Sequence, residues 1–294
     1  MRLVTRGDLD GLASAVLITE MEKIDSIELI HPQDITDKQF IVRHEDILAN
    51  LPYHPDCGMW FDHHLLTDSN EKPPEVFKGL YQQSPSTARV IMDHYNDPKL
   101  ERFSRLIAET DRMDSARLTE SDVLDPKGHI LLGYTIDPRT GLGCFEDYFM
   151  TLVDALKSKT IDEILEMPEV KNRIDRIHNE WEQFKKLTIE NSRIDGNIVI
   201  TDFRNVDPIP IGNRFLVYTL FPQANVSLRI HWGPKKQHVA VVGGHAIFNR
   251  TCTVNIGEMM SDFGGGGHFG AGTALLWEES AEQDIQDILR RLKA

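Results

Sequence analysis

The chain has 294 residues, of which 40% are apolar and 27% are charged, and its formal net charge is −14. This length suits two domains that each bury a core, and the composition excludes disordered and fibrous proteins. The negative charge argues against a protein that coats nucleic acid regardless of sequence, because such binding needs clustered basic groups.

The amino-terminal segment and the cysteines bear on cellular location. No apolar stretch is long enough to span a membrane, and Asp8 and Asp10 interrupt the region where a signal peptide would be apolar. The three cysteines, Cys57, Cys144 and Cys252, are widely spaced and form no CxxC pair. This pattern favours a reducing compartment over a disulfide framework or a zinc knuckle. We therefore expect a cytoplasmic protein without a membrane partner.

The first predicted strand, Leu3 to Thr5, leads into a turn with two acids and then into an apolar helix that starts near Gly11. Asp8 and Asp10 lie two residues apart, so in an extended chain their side chains point to the same side. Together they could bind one cation. The alternative for Asp10 is a helix N-cap, which would leave Asp8 unexplained.

Three more strands are predicted at residues 26–30, 46–51 and 58–61, separated by helical or irregular connections. This alternation predicts an α/β fold with a doubly wound, mostly parallel sheet. Ligands bind such sheets at the carboxyl ends of their strands. The polar residues at these ends are Asn50 on the third strand and, after the fourth, Asp62, His63 and His64.

The adjacent histidines admit two interpretations, a functional site at a strand end or a surface turn that happens to carry them. The acid pair at the end of the first strand favours the site.

The helices predicted downstream define the domain organisation. Ser86 is a suitable N-cap for one helix, Thr160 and Glu163 form a capping box, and Pro168 begins a long helix with an apolar stripe. We expect a first domain over residues 1–155, a helical connector over 156–195, and a second, smaller α/β domain over 196–294.

The second domain contains a basic segment. Residues 208–257 include no Asp or Glu, whereas Arg and Lys recur there at positions Arg214, Arg229, Lys235, Lys236 and Arg250. A basic segment within an acidic protein predicts an anion site. The alternative is a strand-rich segment, since strands disfavour Asp and Glu.

A glycine run, Gly264 to Gly267, followed by His268, lies directly after this basic segment. Glycines in series let backbone N–H groups approach an anion closely, and His268 can donate to a phosphate oxygen. A flexible linker is the alternative, but apolar residues on both sides predict a buried structure.

Three motifs together resemble the DHH phosphoesterase superfamily. They are the acid pair before Gly11 with Ser14 on the helix, the Asp62-His63-His64 tripeptide, and a downstream signature similar to that of the accessory DHHA1 domain, Gly264-Gly265-Gly266-Gly267-His268-Phe269-Gly270-Ala271-Gly272. They occur in the order expected for the family and span nearly the whole chain. The resemblance implies a DHH catalytic domain joined through the connector to a DHHA1 substrate-binding domain, with the site in the cleft between the domains.

The resemblance also implies a metal centre of one or two Mn²⁺ or Mg²⁺ ions. One ion would take Asp10, His63 and Asp111, with Asp114 as the fallback for the last acid. The other ion would take Asp8, and the full set of implied metal residues is Asp8, Asp10, Asn50, Asp62, His63 and Asp111. His64 would contact the substrate phosphate or act as a general acid. Carboxylate and imidazole ligands suit Mn²⁺, and two such ions activate water and neutralise phosphoryl charge.

The chain departs from the family pattern at two positions. The bridging ligand is usually an Asp, where this chain has Asn50, and a His often precedes the acid pair, where it has Arg6. An amide bridges metals poorly, and an arginine adds positive charge where a metal would lie. Arg6 could therefore act on the phosphoryl group much as a metal would.

The implied substrate contacts are Arg229, in the stretch Ser227-Leu228-Arg229, with Arg250 and the glycine run, Gly265, Gly266, Gly267 and His268. The function that follows is hydrolysis of short oligonucleotides or small nucleotides. One alternative is an exopolyphosphatase, which a site without stacking aromatics would favour. The other is a non-catalytic phosphate or nucleotide binder with a degenerate metal site. Neither a membrane nor long duplex nucleic acid is an expected partner, and the sequence predicts no oligomeric state.

Overall fold

A computed structural model describes residues 1–64, 66, 72–142, 146–233 and 236–293. Cys144 and Lys235 lie outside these residues. The chain divides into two compact units, the first formed by Met1–Leu118 and Asp125–Arg176 and the second by Thr119–Leu124 and Ile177–Ala294.

The first unit contains a five-stranded sheet. Its strands are β1 (Arg2–Thr5), β2 (Ser26–Leu29), β3 (Asp46–Ala49), β4 (Met59–Asp62) and β5 (Gly79–Tyr81). They pair in the order β2-β1-β3-β4-β5, and every pairing is parallel. The predicted parallel sheet is confirmed, and β1, β3 and β4, whose carboxyl ends carry the predicted site residues, are neighbours at its centre.

Both faces of this sheet are covered, which explains why its central strands are apolar throughout. On one face, Val4, Leu48 and Trp60 pack with Ile35 and other apolar residues. On the other face, Phe61 contacts the rings of His94 and Tyr95. The helices of this unit are α1 (Leu9–Met21), α2 (Pro32–Thr36), α3 (Thr87–Tyr95), α4 (Ser104–Asp114), α6 (Gly128–Ile136), α7 (Glu146–Ser158) and α8 (Ile161–Leu165), with 3₁₀ turns at Pro98–Phe103 and Pro138–Thr140.

The second unit contains a six-stranded mixed sheet. Its strands are β6 (Ser192–Asp195), β7 (Ile198–Asp202), β8 (Val226–Trp232), β9 (His238–His245), β10 (Gly266–His268) and β11 (Ala271–Trp277), in the order β10-β11-β9-β8-β7-β6. Only the pairing of β7 with β8 is parallel among these described strands. The core of this unit lies between the sheet and its helices, with Leu228, Val241, Met260 and Ile288 among its buried members.

The described part of the second unit also contains the helices α5 (Glu120–Leu124), α10 (Leu216–Leu220), α11 (Ile256–Ser261) and α12 (Glu278–Leu292). The long helix α9 (Pro168–Glu190) begins at the predicted proline and runs from the first unit into the second. The residues after it, which the sequence assigns to the connector, form strand β6 and pair with β7. No helix in the described ranges combines the length and the apolar character that a membrane span requires.

Candidate active site

The predicted site residues of the first unit lie at the carboxyl ends of three adjacent strands. Asp8 and Asp10 follow β1, Asn50 follows β3, and His63 follows β4. Asp8 is the N-cap of α1, because its Oδ1 accepts a hydrogen bond of 3.0 Å from the backbone N–H of Gly11. The capping role considered for Asp10 therefore belongs to Asp8.

Asp10 is held by a different helix. Its two carboxylate oxygens accept hydrogen bonds from the backbone N–H groups of Thr87 (2.9 Å) and Ala88 (2.8 Å), at the amino end of α3. The positive end of that helix favours the carboxylate, and the two bonds fix its orientation. Asp10 is only 2% exposed, so its carboxylate is preorganised in a buried position.

His63 and Asp114 complete a group with Asp10. His63 Nε2 lies 3.8 Å from Asp10 Oδ2 and 3.1 Å from Asp114 Oδ2, and one ligand atom of each residue lies within 4.8 Å of the others. His63 Nδ1 is 2.8 Å from the carbonyl oxygen of Ser84, which orients the ring so that Nε2 faces the acids. We call Asp10, His63 and Asp114 the Asp10 group.

The electrostatics of the Asp10 group reflect its crowded charges. Burial and then the charge of Asp114 raise the pKa of Asp10 to about 7. Burial alone would lower the pKa of His63, but Asp114 and Asp10 outweigh burial and raise that pKa to about 10. Burial alone would raise the pKa of Asp114, but the pairing with His63 lowers it to about 2. A cation would relieve this mutual repulsion.

The structure places Asp114, and not Asp111, beside His63. Asp111 Oδ1 accepts a hydrogen bond of 2.6 Å from Ser86 Oγ, and its Oδ2 forms an ion pair of 2.7 Å with Arg89. Asp114 is the last residue of α4, one turn beyond Asp111 on the same side of the helix, and the two acids contact different partners. We therefore transfer the assignment of the last metal-binding acid from Asp111 to Asp114.

Asp8, Asn50 and Arg6 form a second group, which we call the Asp8 group. Asn50 Nδ2 donates a hydrogen bond of 3.2 Å to Asp8 Oδ1, and Arg6 Nε lies 3.3 Å from Asp8 Oδ2. Asn50 is fully buried and adopts a left-handed backbone conformation with φ +60°, which asparagine tolerates better than most residues. In this group the Asp8 carboxylate already contacts hydrogen-bond donors and a cation.

Asp62 orients His64. Its Oδ1 is 2.7 Å from His64 Nδ1 and also accepts the backbone N–H of His63 at 2.9 Å. Asp62, His63 and His64 are close enough for their ligand atoms to share a cation, so Asp62 stays a predicted ligand. The contact through Nδ1 directs His64 Nε2 away from Asp62, as a proton donor would require.

The donor set of the Asp10 group fits a divalent metal ion. His63 Nε2 is buried and lies 3.1 Å from Asp114 Oδ2, without a well-aligned hydrogen bond to a described residue. A buried imidazole nitrogen that faces two carboxylates matches the ligands that Mn²⁺ accepts. The Asp8 group offers a second ion a weaker set of ligands. Asn50 Oδ1 is buried without a hydrogen-bond partner among the described residues but is a neutral oxygen, and the Arg6 guanidinium contacts the Asp8 carboxylate.

In the second unit the glycine run differs from its prediction. Gly264, Gly265 and Gly267 are exposed, and the run enters β10 at Gly266, where the sequence predicts buried structure. A Cβ on Gly265 would lie 2.0 Å from the carbonyl oxygen of Thr273. The N–H groups of Gly264 and Gly265 are bonded to Ser261 and Met260. Close strand pairing therefore accounts for Gly265, and the substrate contacts of Gly265, Gly266 and Gly267 stay predictions.

Arg229 and His268 lie on the same face of this sheet. In the sheet register Arg229 lies opposite Val242, Val242 opposite Thr273, and Thr273 opposite Gly266. His268 is two residues beyond Gly266 on the same strand, and residues two apart share a face. Burial lowers the pKa of Arg229 to about 10, and its Nε has no hydrogen-bond partner in the described part of the chain. A largely buried guanidinium of this kind suits an anionic ligand.

Arg250 is held differently, since its Nε donates a hydrogen bond of 2.9 Å to the carbonyl oxygen of Ile247. Part of its hydrogen-bonding capacity serves its own loop, and its substrate contact stays a prediction.

Two residues that the sequence did not single out adjoin these sites. Arg139 lines a cavity together with Asp8, Asp10 and Asp114, and its Nε donates a hydrogen bond of 2.7 Å to Asp137 Oδ1. Phe269 is 49% exposed in the turn next to His268. Arg139 belongs to no motif, so only the fold reveals it, whereas Phe269 lies within the glycine-rich signature.

Comparison with solved structures decides the family. The chain is 36% identical to the pGpG-specific phosphodiesterase PggH from Vibrio cholerae, with a TM-score of 0.81, and the match covers 99% of this chain and 98% of that one. The chain belongs to the DHH phosphoesterase superfamily. As the motifs predict, it is a metal-dependent phosphoesterase with a two-domain fold.

More distant structures share the fold. RecJ from Thermus thermophilus in complex with Mn²⁺ is 12% identical, with a TM-score of 0.58, over 99% of this chain and 51% of that one. An exopolyphosphatase-related protein from Bacteroides fragilis is also 12% identical, with a TM-score of 0.53, over 99% and 91%. No family model matches the chain, and no curated protein does.

Proposed function

We propose that the chain is a phosphodiesterase that hydrolyses short oligonucleotides, with linear dinucleotides such as pGpG as the first candidates. The Asp10 group carries this proposal, because two carboxylates and a buried imidazole nitrogen converge at the carboxyl edge of the sheet. The likeness to PggH, which is named as pGpG-specific, supports the choice of substrate class.

The Asp10 group would hold one Mn²⁺ or Mg²⁺ ion. When bound, the ion neutralises charge on the phosphoryl group and activates water. The chain fixes the ligands beforehand: the amino end of α3 orients Asp10, and the Ser84 carbonyl oxygen orients His63. Ligands held in this way lose little conformational freedom on binding.

His64 would serve as the general acid. Hydrolysis adds the oxygen of water to phosphorus and breaks the bond from phosphorus to the leaving oxygen, which must gain a proton. Asp62 holds the His64 ring through Nδ1, and His64 would give that proton from Nε2.

The second unit would bind the nucleotide. We assign the phosphate to Arg229 and His268, which share a sheet face, and a base to the exposed ring of Phe269. Phe269 is braced by an edge contact with His245, with ring centroids 5.3 Å apart. An exposed aromatic ring beside predicted phosphate contacts favours a substrate that carries bases over polyphosphate, which has none.

A turnover screen tests this proposal. The purified chain is incubated with pGpG, pApA, a trinucleotide, a nucleoside bisphosphate, a cyclic dinucleotide and polyphosphate, each with Mn²⁺, Mg²⁺ or EDTA. We expect linear dinucleotides to be hydrolysed fastest with Mn²⁺ and not at all with EDTA, and Phe269→Ala to slow pGpG hydrolysis. Preferred turnover of polyphosphate, or tight nucleotide binding without turnover, would overturn the proposal.

A further inference from the structure

The Asp8 carboxylate is already engaged by groups of this chain. Oδ1 accepts hydrogen bonds from the Gly11 backbone N–H and from Asn50 Nδ2, at 3.0 and 3.2 Å, and Oδ2 forms an ion pair with Arg6 at 3.3 Å. A metal ion bound here would have to displace a guanidinium. It would also lie next to an amide N–H, which repels a cation.

Asn50 cannot serve as an anionic bridge. Asn50 is fully buried at the end of β3, and its NH₂ group donates to Asp8. The flipped amide would place its oxygen against the Asp8 carboxylate, and two acceptors cannot form a hydrogen bond. A bridging position between two cations needs a negatively charged oxygen, which an amide lacks. The chain therefore has ligands for one ion and lacks the bridging carboxylate that a second ion would share.

Two guanidinium groups lie on this side of the site. Arg6 contacts Asp8, and Arg139 is held by Asp137, which is only 2% exposed, while lining the same cavity as Asp8, Asp10 and Asp114. Each arginine uses Nε for its contact with an acid. Among the described residues, neither forms a hydrogen bond through its terminal nitrogens, and a guanidinium presents these N–H groups in a planar fork that matches phosphate oxygens.

We propose that Arg6 and Arg139 take the place of a second metal ion, so that the site works with one divalent cation. This inference rests on the proposed phosphodiesterase function. The cation is held by the Asp10 group, and the two guanidinium groups contact the phosphoryl oxygens on the other side, where they stabilise developing negative charge. Both arginines are catalytic residues in this arrangement, because they touch the substrate.

Metal stoichiometry and spin coupling of the wild-type protein test the inference directly. Titration with Mn²⁺ should saturate at about one ion per chain, and the electron paramagnetic resonance spectrum should show the six lines of an isolated Mn²⁺ ion. Two ions with an exchange-coupled spectrum, in protein that hydrolyses dinucleotides, would overturn the inference and leave the function standing. Absence of both Mn²⁺ binding and hydrolysis would overturn both.

Variants provide a second line of evidence. Arg6→Gln and Arg139→Gln should each lower kcat by about 10²-fold, while the dissociation constant of Mn²⁺ stays within about threefold. The control is Arg193→Gln, an arginine on β6 in the second unit that should leave both quantities unchanged. The double variant Arg6→His with Asn50→Asp should bind about two Mn²⁺ ions with exchange coupling. A wild-type kcat in either Gln variant, or no second ion in a folded double variant, would count against the inference.

Discussion

The Asp10 group and the Asp8 group lie at the same edge of one parallel sheet, but their side chains are engaged in different ways. In the Asp10 group two carboxylates face one buried imidazole nitrogen, which lies 3.1 Å from Asp114. In the Asp8 group the carboxylate already binds an amide and a guanidinium. We propose that, of these two sets of acids at adjacent strand ends, the Asp10 group binds the metal.

Substitution of His63 tests most directly whether the Asp10 group binds the metal. His63→Ala removes the only nitrogen ligand of the Asp10 group, so we expect kcat/KM to fall by about 10³-fold or more and Mn²⁺ binding to be lost. Isothermal titration and dinucleotide turnover measure the two effects. His178→Ala, on the exposed side of α9, is the matched control. Substantial Mn²⁺ binding in a folded His63→Ala protein would mean that the metal lies elsewhere.

Asp114 and Asp111 form a matched pair on α4. Asp114→Asn should lower kcat/KM by about 10²-fold and weaken Mn²⁺ binding, because it removes a ligand charge. Asp111→Asn should leave Mn²⁺ binding intact and lower the free energy of unfolding by about 1–2 kcal/mol, since it weakens the contacts with Ser86 and Arg89. Activity and chemical unfolding of both variants check this, and the reverse pattern would restore Asp111 as the ligand.

This pair also shows the limit of sequence reasoning. Hydrophobic runs and capping residues act locally, so the sequence predicts the parallel sheet and the strand ends, whereas Asp111 and its fallback Asp114 are implied by the family resemblance alone. The choice between Asp111 and Asp114 depends on the direction of α4, which is set by packing against distant residues. Arg89 and Ser86, which engage Asp111, lie on another helix and carry no signal of that role in the sequence.

In the second unit, substitution of Arg229 tests whether this residue binds substrate or stabilises the fold. Arg229→Met should raise KM for dinucleotides about tenfold, because a charged phosphate contact is lost. The free energy of unfolding should stay within about 0.5 kcal/mol or rise, since a buried cation with an unbonded Nε is replaced by an apolar chain of similar length. Arg193→Met is the control. Unfolding at room temperature would show that Arg229 serves the fold instead.

Alanine variants of Gly265 and Gly266 test whether the glycine run is needed for backbone packing or for substrate contact. Gly265→Ala should lower the free energy of unfolding by about 1–3 kcal/mol, because the added Cβ would lie 2.0 Å from a carbonyl oxygen. Gly266→Ala should be nearly neutral for stability, since nothing lies within 4 Å of its added Cβ. Thermal unfolding measures both. A raised KM in the stable Gly266→Ala protein would show that the run also contacts substrate.

The glycine run was mispredicted for a related reason. Apolar neighbours indicate a buried segment, but Gly266 belongs to the edge strand β10, and only β11 pairs with that strand among the described residues. Tight backbone packing and anion binding both select glycine, so the sequence cannot tell them apart.

A further prediction concerns the pH dependence of the metal-stripped protein. The folded-state pKa values of His63 (about 10) and Asp10 (about 7) exceed their ordinary values of 6.5 and 3.8, so the folded state holds more protons. Stability should therefore fall as pH rises from about 3.8 to 7 through Asp10 and from about 6.5 to 10 through His63. His63→Ala should flatten the second window, and Mn²⁺ should stabilise more at higher pH. Thermal unfolding in EDTA that shows stability rising across pH 7–10 would contradict this account.

Anomalous diffraction at the manganese edge, on crystals grown with Mn²⁺, tests the central claim most directly. We predict a single strong peak bound by Asp10, His63 and Asp114, with Arg6 still paired to Asp8. A second fully occupied peak about 3.5–4 Å away and bound by Asp8, or a peak that Asp111 binds in place of Asp114, would contradict the account.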